Sequence, residues 1–291
     1  MFEGVATALI TPFTKSGEVD EECLRRIVRF QEENGVSTLV PCGSTGESAT
    51  LSHEEHIKVI KIVIDEVKHA QVLAGAGSNS TSEAVYLSRT AADLGADGIL
   101  SISPYCNKPT QEGIFQHYKV VSESVDVPIV IYNVPGRTAS NITAETSVRI
   151  ARELPGVVGI KEASGNLIQI GKILAKKPKD FEVLSGDDAQ TFPIIAMGGC
   201  GVISVAANCC PNTVCQMMDL CLREKFIDAS AIHYRMLPLF TDLFLESNPI
   251  PIKYVMKRLG FGNGELRLPL TYISEHGAAV LDSDIEDLGL I

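Results

Sequence analysis

Eight short apolar segments recur along the first two thirds of the chain, and stretches with helical periodicity lie between them. Segments that are apolar at every position are typical of strands buried on both faces, as in a parallel sheet that helices cover. A count of eight favours a closed (β/α)8 barrel, the TIM barrel, over an open doubly wound sheet. The segments are residues 5–10, 38–41, 72–75, 98–102, 129–132, 157–161, 181–185 and 201–204.

The strand pattern ends near residue 211, and helix-like stretches follow at 214–224, 229–246 and 251–259. We therefore predict a barrel catalytic region over residues 1–211 and a C-terminal helical region over residues 212–291. Gly75-Ala76-Gly77 begins like a dinucleotide-binding fingerprint, but Ser80 stands where the third glycine is required. The predicted fold class is α/β, a TIM barrel with a C-terminal helical extension and no Rossmann site.

The net charge of −11 disfavours nucleic acid and anionic membranes as partners, because both attract basic surfaces. The N-terminus shows no secretory signal or transit peptide, so we expect a cytoplasmic protein whose eight cysteines are reduced. Cys209, Cys210 and Cys215 form the closest cysteine group, without a CxxC pair or a nearby histidine. We therefore predict neither a metal site nor a cofactor.

Lys161 is the residue whose position indicates chemistry, because it stands where the sixth apolar segment becomes a loop. A lysine in a desolvated pocket has a lowered pKa, and its neutral amine can attack a ketone to form an imine. Taken alone, Lys161 is more typical of a strand-end lysine that reaches out to water or pairs with a carboxylate, and only the other segment ends favour the reactive amine.

Two other segment ends supply groups that suit a keto acid as substrate. After the second segment, Gly43-Ser44-Thr45-Gly46-Glu47 offers backbone N–H groups and two hydroxyls for a carboxylate. At the fifth, Tyr132 can pass protons and Arg137 can bind a second carboxylate. Because the carboxyl ends of barrel strands converge on one mouth, we expect these groups to meet Lys161 there.

With these motifs the chain resembles, over nearly its whole length, the dihydrodipicolinate synthase family of the pyruvate-dependent aldolase superfamily. The Gly43–Glu47 and Lys161 motifs are shared across the superfamily. The Arg137 motif and the motifs at residues 248–251 and 266–269 favour the synthase. The matching motifs are residues 43–47, 132–138, 159–165, 186–188, 201–204, 248–251 and 266–269.

The resemblance implies condensation of pyruvate with L-aspartate 4-semialdehyde to give 4-hydroxy-tetrahydrodipicolinate, in lysine and diaminopimelate biosynthesis. Lys161 would form the Schiff base, with Tyr132 and Ser44 as further catalytic residues. Thr45, Arg137 and Ile203 would bind the substrates. The family also implies a homotetramer built as a dimer of dimers.

One departure concerns Tyr105-Cys106, because the family usually has two consecutive tyrosines there. The second tyrosine normally enters the neighbouring subunit's site and completes a hydroxyl relay with the residues that match Tyr132 and Ser44. We expect Cys106 to alter proton transfer rather than to abolish activity.

A second site is implied by a match to family members that L-lysine inhibits. His53 and His56 share one helix face behind a capping box, but no third metal ligand is evident. The resemblance makes these residues part of an allosteric L-lysine site instead. Its members are Ser48, Ala49, His53, His56, Asn79, Glu83 and Tyr105.

Two alternatives to the synthase stay open at this point. A retro-aldolase acting on a sugar acid would share Lys161, Tyr132 and the Ser44-Thr45 receptor, although Arg137 argues against it. A lysine-binding regulatory protein that lost catalysis through Cys106 would have no need of Lys161.

Overall fold

A computed structural model describes residues 1–291 and contains a closed barrel of eight parallel strands in sequence order. Strand β1 pairs with both β2 and β8, which closes the barrel and confirms the predicted (β/α)8 fold. The strands are β1 (Gly4–Ala8), β2 (Thr38–Val40), β3 (Gln71–Gly75), β4 (Gly98–Ile102), β5 (Ile129–Asn133), β6 (Val157–Glu162), β7 (Glu182–Ser185) and β8 (Gly201–Ser204).

The strands bury side chains on both faces, which explains why their sequences are apolar throughout. Val40, Leu100 and Leu184 belong to a small cluster inside the barrel. Leu39 and Ile99, their neighbours in sequence, belong to the larger core that also includes the surrounding helices. Alternate residues of each strand therefore serve two different cores.

Twelve α-helices accompany the strands, and side-chain caps begin several of them. Asp20 caps the first helix, and Ser52 with Glu55 forms the predicted capping box at the second. The helices are α1 (Glu21–Glu33), α2 (His53–Glu66), α3 (Thr81–Asp93), α4 (Gln111–Ser122), α5 (Pro135–Thr138), α6 (Ala144–Glu153), α7 (Leu167–Lys176), α8 (Asp188–Ala196), α9 (Pro211–Leu222), α10 (Phe226–Asp242), α11 (Ile250–Arg258) and α12 (Glu275–Asp287).

The C-terminal helices share the core of the barrel rather than forming a separate one. Helix α9 packs against β1, and α10 packs against both α8 and α9. Residues of α9 to α12 belong to the same large apolar cluster as the outer faces of the strands. The boundary at residue 211 stays a prediction. None of the helices combines the length and apolar character that a bilayer span requires.

Candidate active site

Lys161 lies on β6 and is almost completely buried, with only 6% of its surface exposed. Desolvation lowers its pKa from 10.5 to about 7, and the positive charge of Arg137 adds to this effect. The buried carboxylate of Asp188 acts in the opposite direction. Because a large share of the amine is therefore neutral near pH 7, Lys161 can act as a nucleophile.

Tyr132 is the cross-strand neighbour of Lys161 in the β5–β6 pairing. The Lys161 Nζ lies 4.3 Å from the centre of the Tyr132 ring. Burial raises the pKa of Tyr132 to about 12, and both the Arg137 charge and contact with the Ser44 hydroxyl oppose that rise. The phenol therefore keeps its proton at neutral pH and can donate it to a bound substrate.

A buried hydrogen-bond network fixes the strand register that brings Tyr132 and Lys161 together. The next cross-strand pair is Asn133 with Glu162, and the Asn133 amide donates to both Glu162 carboxylate oxygens, at 3.1 and 3.2 Å. The Gln169 amide and the Ser164 N–H also donate to this carboxylate, at 3.1 and 2.8 Å. Burial raises the pKa of Glu162, and these donors oppose that rise by satisfying the carboxyl oxygens directly beside the reactive pair.

The Gly43–Glu47 loop after β2 brings Ser44 and Thr45 to the same cavity as Lys161. It can lie against β3 because Gly75 has no side chain there: a Cβ at Gly75 would be 2.4 Å from the Cys42 carbonyl oxygen. At the end of the loop Glu47 has a positive φ of 53° and forms a buried ion pair with Lys253 of α11. The C-terminal region thus anchors this loop.

Asn248 connects the two predicted carboxylate receptors. Its side-chain Nδ2 donates to the Thr45 Oγ1 at 2.9 Å, and its carbonyl accepts from the Arg137 Nη2 at 3.1 Å. Arg137 belongs to the short helix α5 and is exposed at the mouth of the barrel. The sequence motif 248–251 gave no indication that Asn248 would hold both receptors.

The active-site cavity has a volume of about 410 Å³ and brings together Ser44, Thr45, Tyr132, Arg137 and Lys161. Ile203 does not line it: its side chain is buried in the cluster inside the barrel. Several other lining residues were not among the site residues predicted from the sequence. These are Gly186, Asp187, Phe240, Thr241, Phe244 and Asn248.

A second cavity of about 510 Å³ lies next to the first and shares Ser44, Arg137 and Asn248 with it. The predicted lysine-site residues line it, except for Asn79, whose carbonyl accepts from the Asn107 side chain. The lining members are Ser48, Ala49, His53, His56, Glu83 and Tyr105.

The polar groups of the second cavity are already ordered by their neighbours. His53 Nε2 and Glu83 Oε1 are 2.6 Å apart, and the Ser78 hydroxyl donates to the other Glu83 oxygen. His56 Nε2 lies 2.6 Å from the Gly75 carbonyl, and burial lowers its pKa. A carboxylate near imidazole rings and hydroxyls can receive an ammonium group.

Cys106 is exposed and has a positive φ of 71°, and its N–H donates to the Thr138 carbonyl at 3.3 Å. It lines neither cavity. Within this chain, therefore, the Tyr132 phenol has the Ser44 hydroxyl as a neighbour but no second phenol from the Tyr105-Cys106 loop. No three His, Cys, Asp or Glu side chains cluster closely enough to bind a metal ion.

A desolvated lysine, a protonated phenol and two carboxylate receptors at the mouth of a TIM barrel define an imine-forming enzyme of the lyase class. The model of the dihydrodipicolinate synthetase family matches residues 1–288. The chain belongs to this family, and the resemblance seen in its sequence motifs is confirmed.

Individual relatives agree over their full lengths. The chain is 50% identical to the 4-hydroxy-tetrahydrodipicolinate synthase of Chloroherpeton thalassium, over 99% of this chain and 96% of that one. A solved structure described as the first monomeric dihydrodipicolinate synthase variant is 43% identical, with a TM-score of 0.98 over 100% and 98% of the two chains. The enzyme of Cyanidioschyzon merolae, solved with lysine bound, is 41% identical, with a TM-score of 0.97 over 100% and 99%.

Proposed function

We propose that this chain condenses pyruvate with L-aspartate 4-semialdehyde to give 4-hydroxy-tetrahydrodipicolinate, through a Schiff base on Lys161. The observation that carries this proposal is the desolvated Lys161 amine, which shares one cavity with Tyr132, Thr45 and Arg137. The full-length relative named as the synthase supports the choice of reaction.

The first half of the reaction activates pyruvate. The Lys161 amine attacks the ketone carbon, and loss of water gives a protonated imine. The Thr45 hydroxyl holds the pyruvate carboxylate, with Ser44 next to it. Loss of a methyl proton then gives an enamine, and Tyr132 with Ser44 transfers protons during these steps.

The second half uses the semialdehyde. The enamine carbon attacks the aldehyde carbon, and the resulting alkoxide takes up a proton. The substrate ammonium gives up a proton, and the resulting amine attacks the imine carbon, which closes the ring. A proton then passes from the ring nitrogen to the lysine nitrogen, and the carbon–nitrogen bond to Lys161 breaks to release the lysine amine. Arg137 binds the carboxylate of this second substrate, because its guanidinium lies at the mouth of the same cavity.

Borohydride reduction in the presence of pyruvate tests the central step. Wild-type enzyme should gain the mass of one reduced pyruvate adduct on the peptide that contains Lys161, and Lys161→Ala should gain none. Lys253 provides an internal control, because it is also buried with a pKa lowered to about 8 but lies outside the active-site cavity. Undiminished labelling of Lys161→Ala would refute the assignment.

We also propose that L-lysine inhibits the enzyme by binding in the second cavity. Glu83 and Tyr105 provide an anion and a hydroxyl there, and the lysine-bound relative supports this ligand. Inhibition should not be simply competitive with pyruvate, since neither Lys161 nor Thr45 lines the second cavity. Glu83→Thr should weaken inhibition and leave imine formation intact, whereas the exposed Glu145→Thr should change neither. Failure of millimolar L-lysine to bind or to slow turnover would remove the proposal.

For assembly we propose a homotetramer arranged as a dimer of dimers, in the cytoplasm. Exposed apolar side chains such as Leu167, Ile168 and Met197 support association, since Ile168 alone is 75% exposed. Because one relative is described as monomeric, the number of chains in this assembly has to be measured. Light scattering after gel filtration should give four times the mass of one chain.

A further inference from the structure

The Gly186-Asp187-Asp188 motif after β7 places two carboxylates side by side, and they face different environments. Asp188 is buried, and its Oδ2 accepts from the backbone N–H groups of Val205 and Ala206 at 2.9 and 3.0 Å. Asp187 is half-buried and lines the active-site cavity. The mechanism described above uses neither carboxylate as a ligand for substrate.

Asp187 is the only residue lining the active-site cavity that carries a carboxylate. Its Oδ1 accepts from the Ala189 N–H at 3.0 Å, which caps helix α8. No Lys, Arg or His lies within ion-pairing distance of it. A carboxylate can accept about four hydrogen bonds, so Asp187 keeps acceptor capacity for a ligand in the cavity.

The backbone beside Asp187 packs directly against the reactive lysine. A Cβ on Gly186 would lie 3.0 Å from the Lys161 Cε and 2.7 Å from the Ala163 Cβ, so only glycine allows this approach. The sheet order is β5, β6, β7. Arg137 follows β5, Lys161 is on β6 and Asp187 follows β7, so a cation and an anion flank the imine-forming residue.

We propose that Asp187 binds the α-ammonium group of the second substrate and is a specificity-determining residue for the condensation. This inference rests on the proposed function. In L-aspartate 4-semialdehyde one carbon carries both an ammonium and a carboxylate group. Asp187 receives the ammonium and Arg137 the carboxylate, which directs the aldehyde arm toward the enamine on Lys161. The ammonium, the carboxylate and the aldehyde arm of one chiral carbon are then each held at a different place, so the site also selects the L-enantiomer.

Asp187→Asn separates this function from the structural role of Asp187. Asn and Asp are similarly good N-caps, so the variant keeps the helix cap and the side-chain shape but removes the charge. Asp20→Asn is the matched control, because Asp20 caps α1 by accepting from the Cys23 N–H at 3.0 Å and lies outside the cavity. Asp187→Ser, a second residue able to cap, serves as a repeat if the first variant folds poorly.

The readouts are the kcat/KM for the semialdehyde and the inhibition constant of 4-oxobutanoate, the same aldehyde acid without the amino group. Asp187→Asn should lower the first by roughly 10- to 100-fold, the usual effect of losing a charged hydrogen bond. It should change the inhibition constant by less than about threefold, because 4-oxobutanoate has no ammonium to bind. Asp20→Asn should alter neither value.

Two results would overturn the role of Asp187: an unchanged kcat/KM in the Asn variant, or equal losses for the semialdehyde and 4-oxobutanoate. Borohydride trapping with pyruvate keeps this failure distinct from failure of the proposed function. If Lys161 is labelled in wild type and variant alike, only the assignment of Asp187 is at fault. If wild type is not labelled, the Schiff-base mechanism itself fails.

Discussion

Lys161 is reactive because burial in the barrel lowers the pKa of its side-chain amine from 10.5 to about 7. Only the neutral amine attacks pyruvate, and the neutral fraction grows as pH rises through this value. The rate of borohydride-trapped imine formation should therefore increase with a midpoint near pH 7 and level off above it. A rate that keeps rising up to pH 10 would contradict the lowered pKa.

We expect the Arg137 guanidinium to affect both the use of the semialdehyde and the formation of the imine. Measurements at two pH values can separate these effects. Arg137→Ala should lower kcat/KM for the semialdehyde by roughly 10- to 100-fold, since a charged hydrogen bond contributes about 1.5–3 kcal/mol. The Arg137 charge also lowers the pKa of Lys161, so the variant should form the imine more slowly near pH 7. At about pH 9 the imine rates of variant and wild type should converge. Arg152→Ala, at an exposed position of α6, is the control. Equal losses in both steps at about pH 9 would exclude a role of Arg137 that is specific to the second substrate.

Among the secondary-structure elements, β5 and β6 carry the reactive pair and depend on the buried Glu162 carboxylate. Asn133→Ala removes two hydrogen bonds to Glu162 and one from the Ile142 N–H to the Asn133 side chain. Leaving such buried groups unsatisfied costs about 1–3 kcal/mol, which should lower the melting temperature by several degrees. Exposed Asn212→Ala should stay within about 0.5 kcal/mol of wild type. A wild-type melting curve for Asn133→Ala would show that the network adds no stability.

The sequence predicted the strands well because continuous apolar runs have a direct physical cause in double-sided burial. Strand ends were less predictable: β1 begins at Gly4 and ends at Ala8, two residues before the predicted end. Strand β6 extends one residue further, to Glu162, because neighbouring side chains satisfy that buried carboxylate. Helix α12 was not among the helices predicted within the C-terminal region, because its buried stripe is short and consists only of Gly277, Leu281 and Ile285.

At the scale of the whole molecule, the strand-end motifs predicted which residues would meet, but not what would cover them. Lys161, Tyr132, Ser44, Thr45 and Arg137 converge because a closed barrel brings strand ends together. Phe240, Thr241 and Phe244 complete the cavity only because α10 packs on α8, a long-range contact that no local pattern specifies. The C-terminal region is therefore part of the site, although no residue in its sequence has an obvious catalytic role.

The buried ion pair between Lys253 and Glu47 is one of the contacts that join this C-terminal region to the loop carrying Ser44 and Thr45, beside the Asn248–Thr45 hydrogen bond. The Lys253 Nζ also lies 4.1 Å from the centre of the Phe13 ring, and it donates to the Glu265 carbonyl at 2.7 Å. Lys253→Met should leave Glu47 buried without its cation, at a cost of roughly 3–5 kcal/mol.

Adding Glu47→Gln to Lys253→Met removes the stranded charge, so the double variant should recover much of the stability lost in the single variant. Gln can still accept from the Arg267 N–H, which donates to Glu47 at 3.1 Å. Urea unfolding of the wild type, both single variants and the double variant measures the coupling between the two positions. Strictly additive losses would mean that the ion pair does not couple the C-terminal region to the catalytic loop energetically, and that the Asn248–Thr45 hydrogen bond and helix packing hold the two parts together instead.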